Sequence, residues 1–159
     1  MRVRSWQDAE PISVALSLLP SRMRERVAHA EWFAGADPIF AGLTAHKLTK
    51  DGRSYRDTAH VCYPFHLEHR PRAERVSTVV LPKPVPPWVV VHELGHVLHE
   101  SLDFATHDPA PVSTYARTDR WEAFAEAFTA WICPEIYPWA GEILARDELT
   151  LALFEELTV

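Results

Sequence analysis

Two histidines four residues apart, with a glutamate directly after the first, make His92-Glu93-Leu94-Gly95-His96 the stretch where this sequence could do chemistry. On a helix, positions i and i+4 project from one face, one turn apart. Both imidazoles could then offer a neutral nitrogen to one zinc ion (Zn2+) at tetrahedral angles. Glu93 lies at the edge of that face, where it could take a proton from a bound water and pass it to a leaving amine. The competing reading is a surface helix with ordinary histidines. Against it, Val89-Val90-Val91, Leu94, Val97 and Leu98 make the segment apolar on most sides. A buried helix that presents two histidines and a glutamate to a shared space needs a reason.

Such a site needs a third ligand. A metzincin would continue with Gly at position 99 and His at position 102, whereas the chain has His99 and Leu102. Its only methionines are Met1 and Met23, so no methionine turn follows the helix. A deformylase would supply a cysteine in a Glu-Gly-Cys setting, but Cys62 stands in His60-Val61-Cys62-Tyr63. The segment Trp121-Glu122-Ala123-Phe124-Ala125-Glu126-Ala127-Phe128 is a better source. Glu122 and Glu126 are one helical turn apart, while Trp121, Phe124, Phe128 and Trp131 form an aromatic face. Two acids on so apolar a helix are costly to bury without a cation or donors. Glu122 facing the zinc and Glu126 accepting a hydrogen bond from a ligand imidazole would meet that cost. The plain alternative is that both acids are solvated, as exposed helical glutamates usually are.

The residues from Tyr115 to Phe128, taken with His92-Glu93-Leu94-Gly95-His96, resemble the catalytic domain of anthrax lethal factor and the related Pro-Pro endopeptidases. In that zincin family a tyrosine lies seven residues before the ligand glutamate, the separation of Tyr115 and Glu122. The resemblance implies that His92, His96 and Glu122 bind zinc, that Glu93 is the general base and that Tyr115 steadies the oxyanion. A phenol near zinc can donate to the oxygen that gains charge in a tetrahedral intermediate; an ordinary loop tyrosine is the plainer reading. The match is tight from about Val76 to Trp131 and loose elsewhere. The resemblance reaches only the catalytic domain of lethal factor and none of its large accessory domains, so substrate choice does not carry over.

The elements that must position these groups can be read outward from them. Pro82 to Pro87 cannot continue a sheet ladder, but proline suits the first turn of a helix, and the spacing predicts the active helix over about Trp88 to Leu102. Thr118 or Asp119 can cap a second helix that runs to Ile132 and is stopped by Pro134. A last helix is expected over about Trp139 to Leu157, with Ile143, Leu144, Leu151 and Phe154 inward. Upstream, Glu10 to Leu19 and Ser21 to Trp32 read as helices broken at Pro20. Ile39 to Leu48 and Asp57 to Tyr63 are expected to form a hairpin about the Lys50-Asp51-Gly52-Arg53 turn, and Pro64 to Arg75 a charged loop. Val76 to Leu81 is β-branched and reads as a strand. The expected fold is therefore α+β and zincin-like, with a small mixed sheet, an edge strand beside the active helix and further C-terminal helices. An extended peptide or protein substrate would add to that edge near Val76 to Leu81; a plain sheet strand competes with this role.

Composition bounds the rest. At 159 residues the chain fits one domain, 1–159. A formal charge of −6 leaves no basic surface for nucleic acid, and no apolar run is long enough to span a bilayer. The first residues carry no apolar stretch behind their charges, which argues against a secretory signal and leans towards the cytoplasm, with an excised domain as the alternative. Cys62 and Cys133 are expected to be free. His99 is expected to be exposed or to support a ligand, and Asp103, His107 and Asp108 to line the cleft at most weakly. The functional expectation is a zinc-dependent peptidase. A zinc-binding regulatory module without turnover is the alternative, and a non-metal interaction domain is the third reading.

Overall fold

The computed structural model of the protein describes residues 9–34, 52, 58–62, 77–81, 83–103 and 107–159. The expected strand over 39–48, the loop over 64–75 and most of the hairpin lie outside these residues. The described part is α+β, combining helices with a three-stranded sheet.

Helix α1 (Ala9–Leu18) turns Ile12 and Ala15 inward, and Leu19 follows on the same stripe. Pro20 breaks the chain and starts α2 (Ser21–Val27), which buries Met23 and Val27 at i and i+4. The sequence pattern extends this second helix to Trp32, but it ends at Val27. Glu31–Ala34 instead forms strand β1. Two gains decide the matter: β1 pairs with a distant strand over all four residues, and Trp32 becomes 1% exposed within the core.

Strand β2 (His60–Cys62) and strand β3 (Thr78–Leu81) complete the sheet in the order β1-β3-β2. β1 runs parallel to β3 with Glu31 opposite Thr78 and Ala34 opposite Leu81, and β2 runs antiparallel with Val61 opposite Val79. The expected edge strand is thus the central strand. Both sides of β3 are already hydrogen-bonded, so a peptide cannot add to it. Its four residues are all buried, which is the signature of a strand covered on both faces.

Helix α3 (Pro87–Ser101) follows, with proline at its first position and extended Pro86 before it. Past its end Asp103 takes a left-handed conformation at φ 55°, the usual way for a chain to leave a helix. The Ser77 hydroxyl donates to Glu100, tying the sheet to this helix, and burial pushes the Glu100 carboxyl up to about 7. A 3₁₀ turn at Tyr115–Arg117 leads into α4 (Arg120–Ile132). The Asp119 carboxylate caps α4 by accepting the amides of Trp121 and Glu122 at 2.8 and 2.9 Å.

The long final helix expected over Trp139 to Leu157 is two helices, α5 (Ala140–Arg146) and α6 (Glu148–Glu156). They divide at Asp147, whose backbone leaves the helical region and whose side chain caps α6 at Thr150. Leu144 and Phe154 reach the core, whereas Ile143 and Leu151 are only half-buried.

Candidate metal centre

α3 and α4 approach so closely that Gly95 lies directly against the α4 backbone. A Cβ at Gly95 would meet the Ala125 Cα at 2.9 Å and the Phe128 ring at 3.2 Å. Around this contact Leu94, Val97, Leu98, Phe124 and Phe128 are fully buried. Three polar side chains meet at one end of it. The Nε2 atoms of His92 and His96 stand 3.1 and 3.5 Å from Glu122 Oε2. The candidate ligand atoms all lie within 4.8 Å of one another.

A tetrahedral ion bound at about 2.0–2.1 Å sets its ligand atoms roughly 3.3–3.5 Å apart; the two distances to Glu122 lie near that spacing, and His92, His96 and Glu122 could together hold a metal ion. The side chains keep 13–18% of their surface exposed, enough for an ion or a reactant to reach them. The electrostatics suit a cation. Burial disfavours charge on His92, but the Glu122 carboxylate and the charges of Glu93 and Glu126 outweigh it and hold its pKa above the ordinary value. Burial likewise disfavours ionised Glu122, yet hydrogen bonds to both histidines keep its pKa well below the carboxylate range. The Glu122 carboxylate thus favours positive charge on the groups beside it.

Glu93 is 4% exposed on α3, beside the first histidine. Tyr115 is half-buried on the 3₁₀ turn, with its ring centroid 6.4 Å from that of His92. His92, His96 and Glu122 therefore meet at one point, with the Tyr115 ring beside His92. Their remaining neighbours differ from expectation in several places. Glu126 is buried, but its carboxylate accepts the hydroxyls of Ser113 and Tyr137 (the latter at 3.2 Å) instead of an imidazole. Burial and the Glu126 charge push the Tyr137 phenol far up, so it stays a donor. His99 is 1% exposed and stacks on Phe124 with centroids 4.2 Å apart, which corrects the expectation of an exposed ring. Burial, helped by the nearby Arg120 and His96 charges, lowers its pKa to about 4. It is a neutral packing residue.

His107 Nε2 pairs with Asp147 Oδ1 at 2.9 Å, and Asp108 makes an exposed ion pair with Arg120 at 3.0 Å. Trp121, expected on the aromatic face, is half exposed, whereas Phe124 and Phe128 are buried. Cys133 is a buried free thiol with its pKa pushed up to about 11, first by burial and then by Glu135. Ser113 and Tyr137 escaped the sequence reading because nothing local marks them. Their role comes from partners 13 and 11 residues away. No helix among the described residues is long and apolar enough to cross a membrane. No protein-family model, curated protein or solved structure matches the chain.

Proposed function

We propose that the protein is a zincin-like, zinc-dependent peptidase that hydrolyses a peptide bond in a peptide or protein substrate. The observation that carries this reading is the convergence of His92, His96 and Glu122, from two helices, beside Glu93 and Tyr115. A site built only to hold an ion needs neither of the last two residues. The donor set of two imidazoles and one carboxylate matches the three protein ligands of catalytic zinc sites, which keep a fourth position open.

Zinc in that place would polarise the substrate carbonyl and lower the pKa of the attacking water. The chain's own groups divide the remaining work. Glu93, next to a ligand on the same helix, accepts the proton of the water and returns it to the leaving amine. Tyr115 donates its phenolic hydrogen to the carbonyl oxygen as negative charge develops there. His92, His96 and Glu122 supply a fixed anionic cradle that needs no rearrangement during the reaction.

Metal analysis of the purified chain is the first test. The wild type is expected to hold about one zinc, with occupancy lost or weakened in His96→Ala and Glu122→Ala. Glu93→Gln should keep the zinc and lose on the order of 10²–10⁴ in turnover of a cleavable peptide. Full activity in zinc-loaded Glu93→Gln would overturn the mechanism. Zinc bound by a wild type that cleaves no peptide in a broad library would identify a regulatory module instead. No zinc after reconstitution would leave an interaction domain.

A further inference from the structure

Glu126 lies one turn beyond Glu122 on α4 and is 5% exposed, a buried charge outside the metal-binding triad. A buried carboxylate persists where donors fill its oxygens. Here the Ser113 hydroxyl donates to Oε2 and the Tyr137 hydroxyl to Oε1. A serine has one hydroxyl proton to give. Once Glu126 has it, the Ser113 oxygen is left to accept, and the Ala116 amide donates to it at 3.1 Å. Ala116 is itself buried and directly follows Tyr115. The carboxylate thus orients a hydroxyl, the hydroxyl holds an amide, and the amide holds the turn that carries the Tyr115 ring.

A second arm reaches the same segment. The Tyr137 ring packs edge-on against Trp139 with centroids 5.7 Å apart, and Trp139 Nε1 donates to the carbonyl of Val112 at 2.8 Å. The stretch from Val112 to Ala116 is thus tied to Glu126 by three routes: Ser113 directly, Ala116 through Ser113, and Val112 through Trp139 and Tyr137.

We propose that Glu126 is a positioning residue for Tyr115: through Ser113 and Tyr137, its carboxylate sets the place of the phenol beside the triad. The catalytic consequence rests on the peptidase reading, whereas the geometry does not. The arrangement also explains why an acid stands here. Both oxygens must accept, and a glutamine would turn an NH₂ donor towards one of two hydroxyl donors. Facing Ser113, it would take away the acceptor of the serine proton, so the hydroxyl would lose the bond that orients it towards the Ala116 amide.

The test uses the full chain loaded with zinc. By NMR the wild type should show a contact between the Tyr115 and His92 rings and slow exchange of the Ala116 amide. Glu126→Gln and Ser113→Ala are expected to keep their zinc, lose the ring contact and exchange Ala116 at least about tenfold faster. Ser113→Thr, which keeps a hydroxyl, should restore both signals. In peptide turnover, Glu126→Gln should lower kcat by about 10–100-fold at nearly unchanged KM. It should add nothing once Tyr115 is already Phe, because two changes acting through one group are not additive. Survival of the ring contact and of Ala116 protection in Glu126→Gln would overturn the proposal. So would an undiminished kcat loss in the Tyr115→Phe background. Should Glu126→Gln fail to fold, Ser113→Ala decides by the same readouts. A wild type that holds zinc but cleaves nothing removes the peptidase reading alone, and the ring contact and amide exchange still decide the positioning.

Discussion

The α3–α4 pair and the segment 107–119 that joins them both present groups to one triad, yet they are held by different physics. The helix pair is fixed by contact. Gly95 admits the α4 backbone, and Leu94, Leu98, Phe124 and Phe128 close around the junction with essentially no exposure. The joining segment buries few side chains, chiefly Pro109, Val112 and Ala116. It is pinned instead by polar bonds to elements outside it: His107 and Ala110 to Asp147, Val112 to Trp139, and Ser113 to Glu126. Packing resists displacement in every direction and depends little on pH. Hydrogen bonds fix direction and can be released one at a time. The three candidate ligands sit on the first kind of support and Tyr115 on the second.

The comparison is broken most severely at Phe124, which stacks on His99 and meets Phe154 edge-on at 5.6 Å. Phe124→Ala should cost about 3–5 kcal/mol, measured by urea unfolding, and zinc affinity should fall with it. Gly95→Ala is a smaller change with a more pointed effect. The added methyl faces a backbone carbon at 2.9 Å, which no rotamer change can relieve, so the helices must part. A loss of about 1–3 kcal/mol is expected, together with weaker zinc binding, because Glu122 rides on the helix that moves. Wild-type zinc affinity in Gly95→Ala would show that contact does not set the triad.

The same contrast explains what could be read from the sequence. α3 and α4 were legible because their signals are local: a proline start, an Asp119 cap, a stop at Pro134 and histidines at i and i+4. The meeting of Glu122 with the histidines spans 30 residues, but acids on an apolar helix pointed to it. β1 was not legible. Met23 and Val27 continue a helical spacing towards Trp32, and the strand forms only because Glu31–Ala34 finds β3 far along the chain. The central place of β3 was hidden for the same reason, since a neighbour on each side is a fact about other segments. Ser113, Tyr137 and Asp147 carry no local signature, and polar pinning shows only when the partners are assembled.

Asp147 offers the gentlest way to sharpen the comparison. One oxygen pairs with His107 at 2.9 Å and caps the Thr150 amide at 3.2 Å, and the other accepts the Ala110 amide at 2.7 Å and the Thr150 hydroxyl at 2.8 Å. Burial opposes its ionisation, but these donors outweigh burial and hold its pKa below the ordinary 3.8. A folded pKa below the unfolded one means that the ionised group stabilises the fold at pH values above 3.8. That contribution is lost as pH falls below this value through the folded pKa. Asp147→Asn should therefore cost about 1 kcal/mol at neutral pH, and its melting temperature should converge with that of the wild type in acid. Exchange of the Ala110 amide should rise while zinc affinity stays unchanged, because α3 and α4 do not depend on this bond. A drop in zinc affinity as large as that of Gly95→Ala would mean that the pinned segment and the packed helices are one mechanical unit, and the distinction between them would fall.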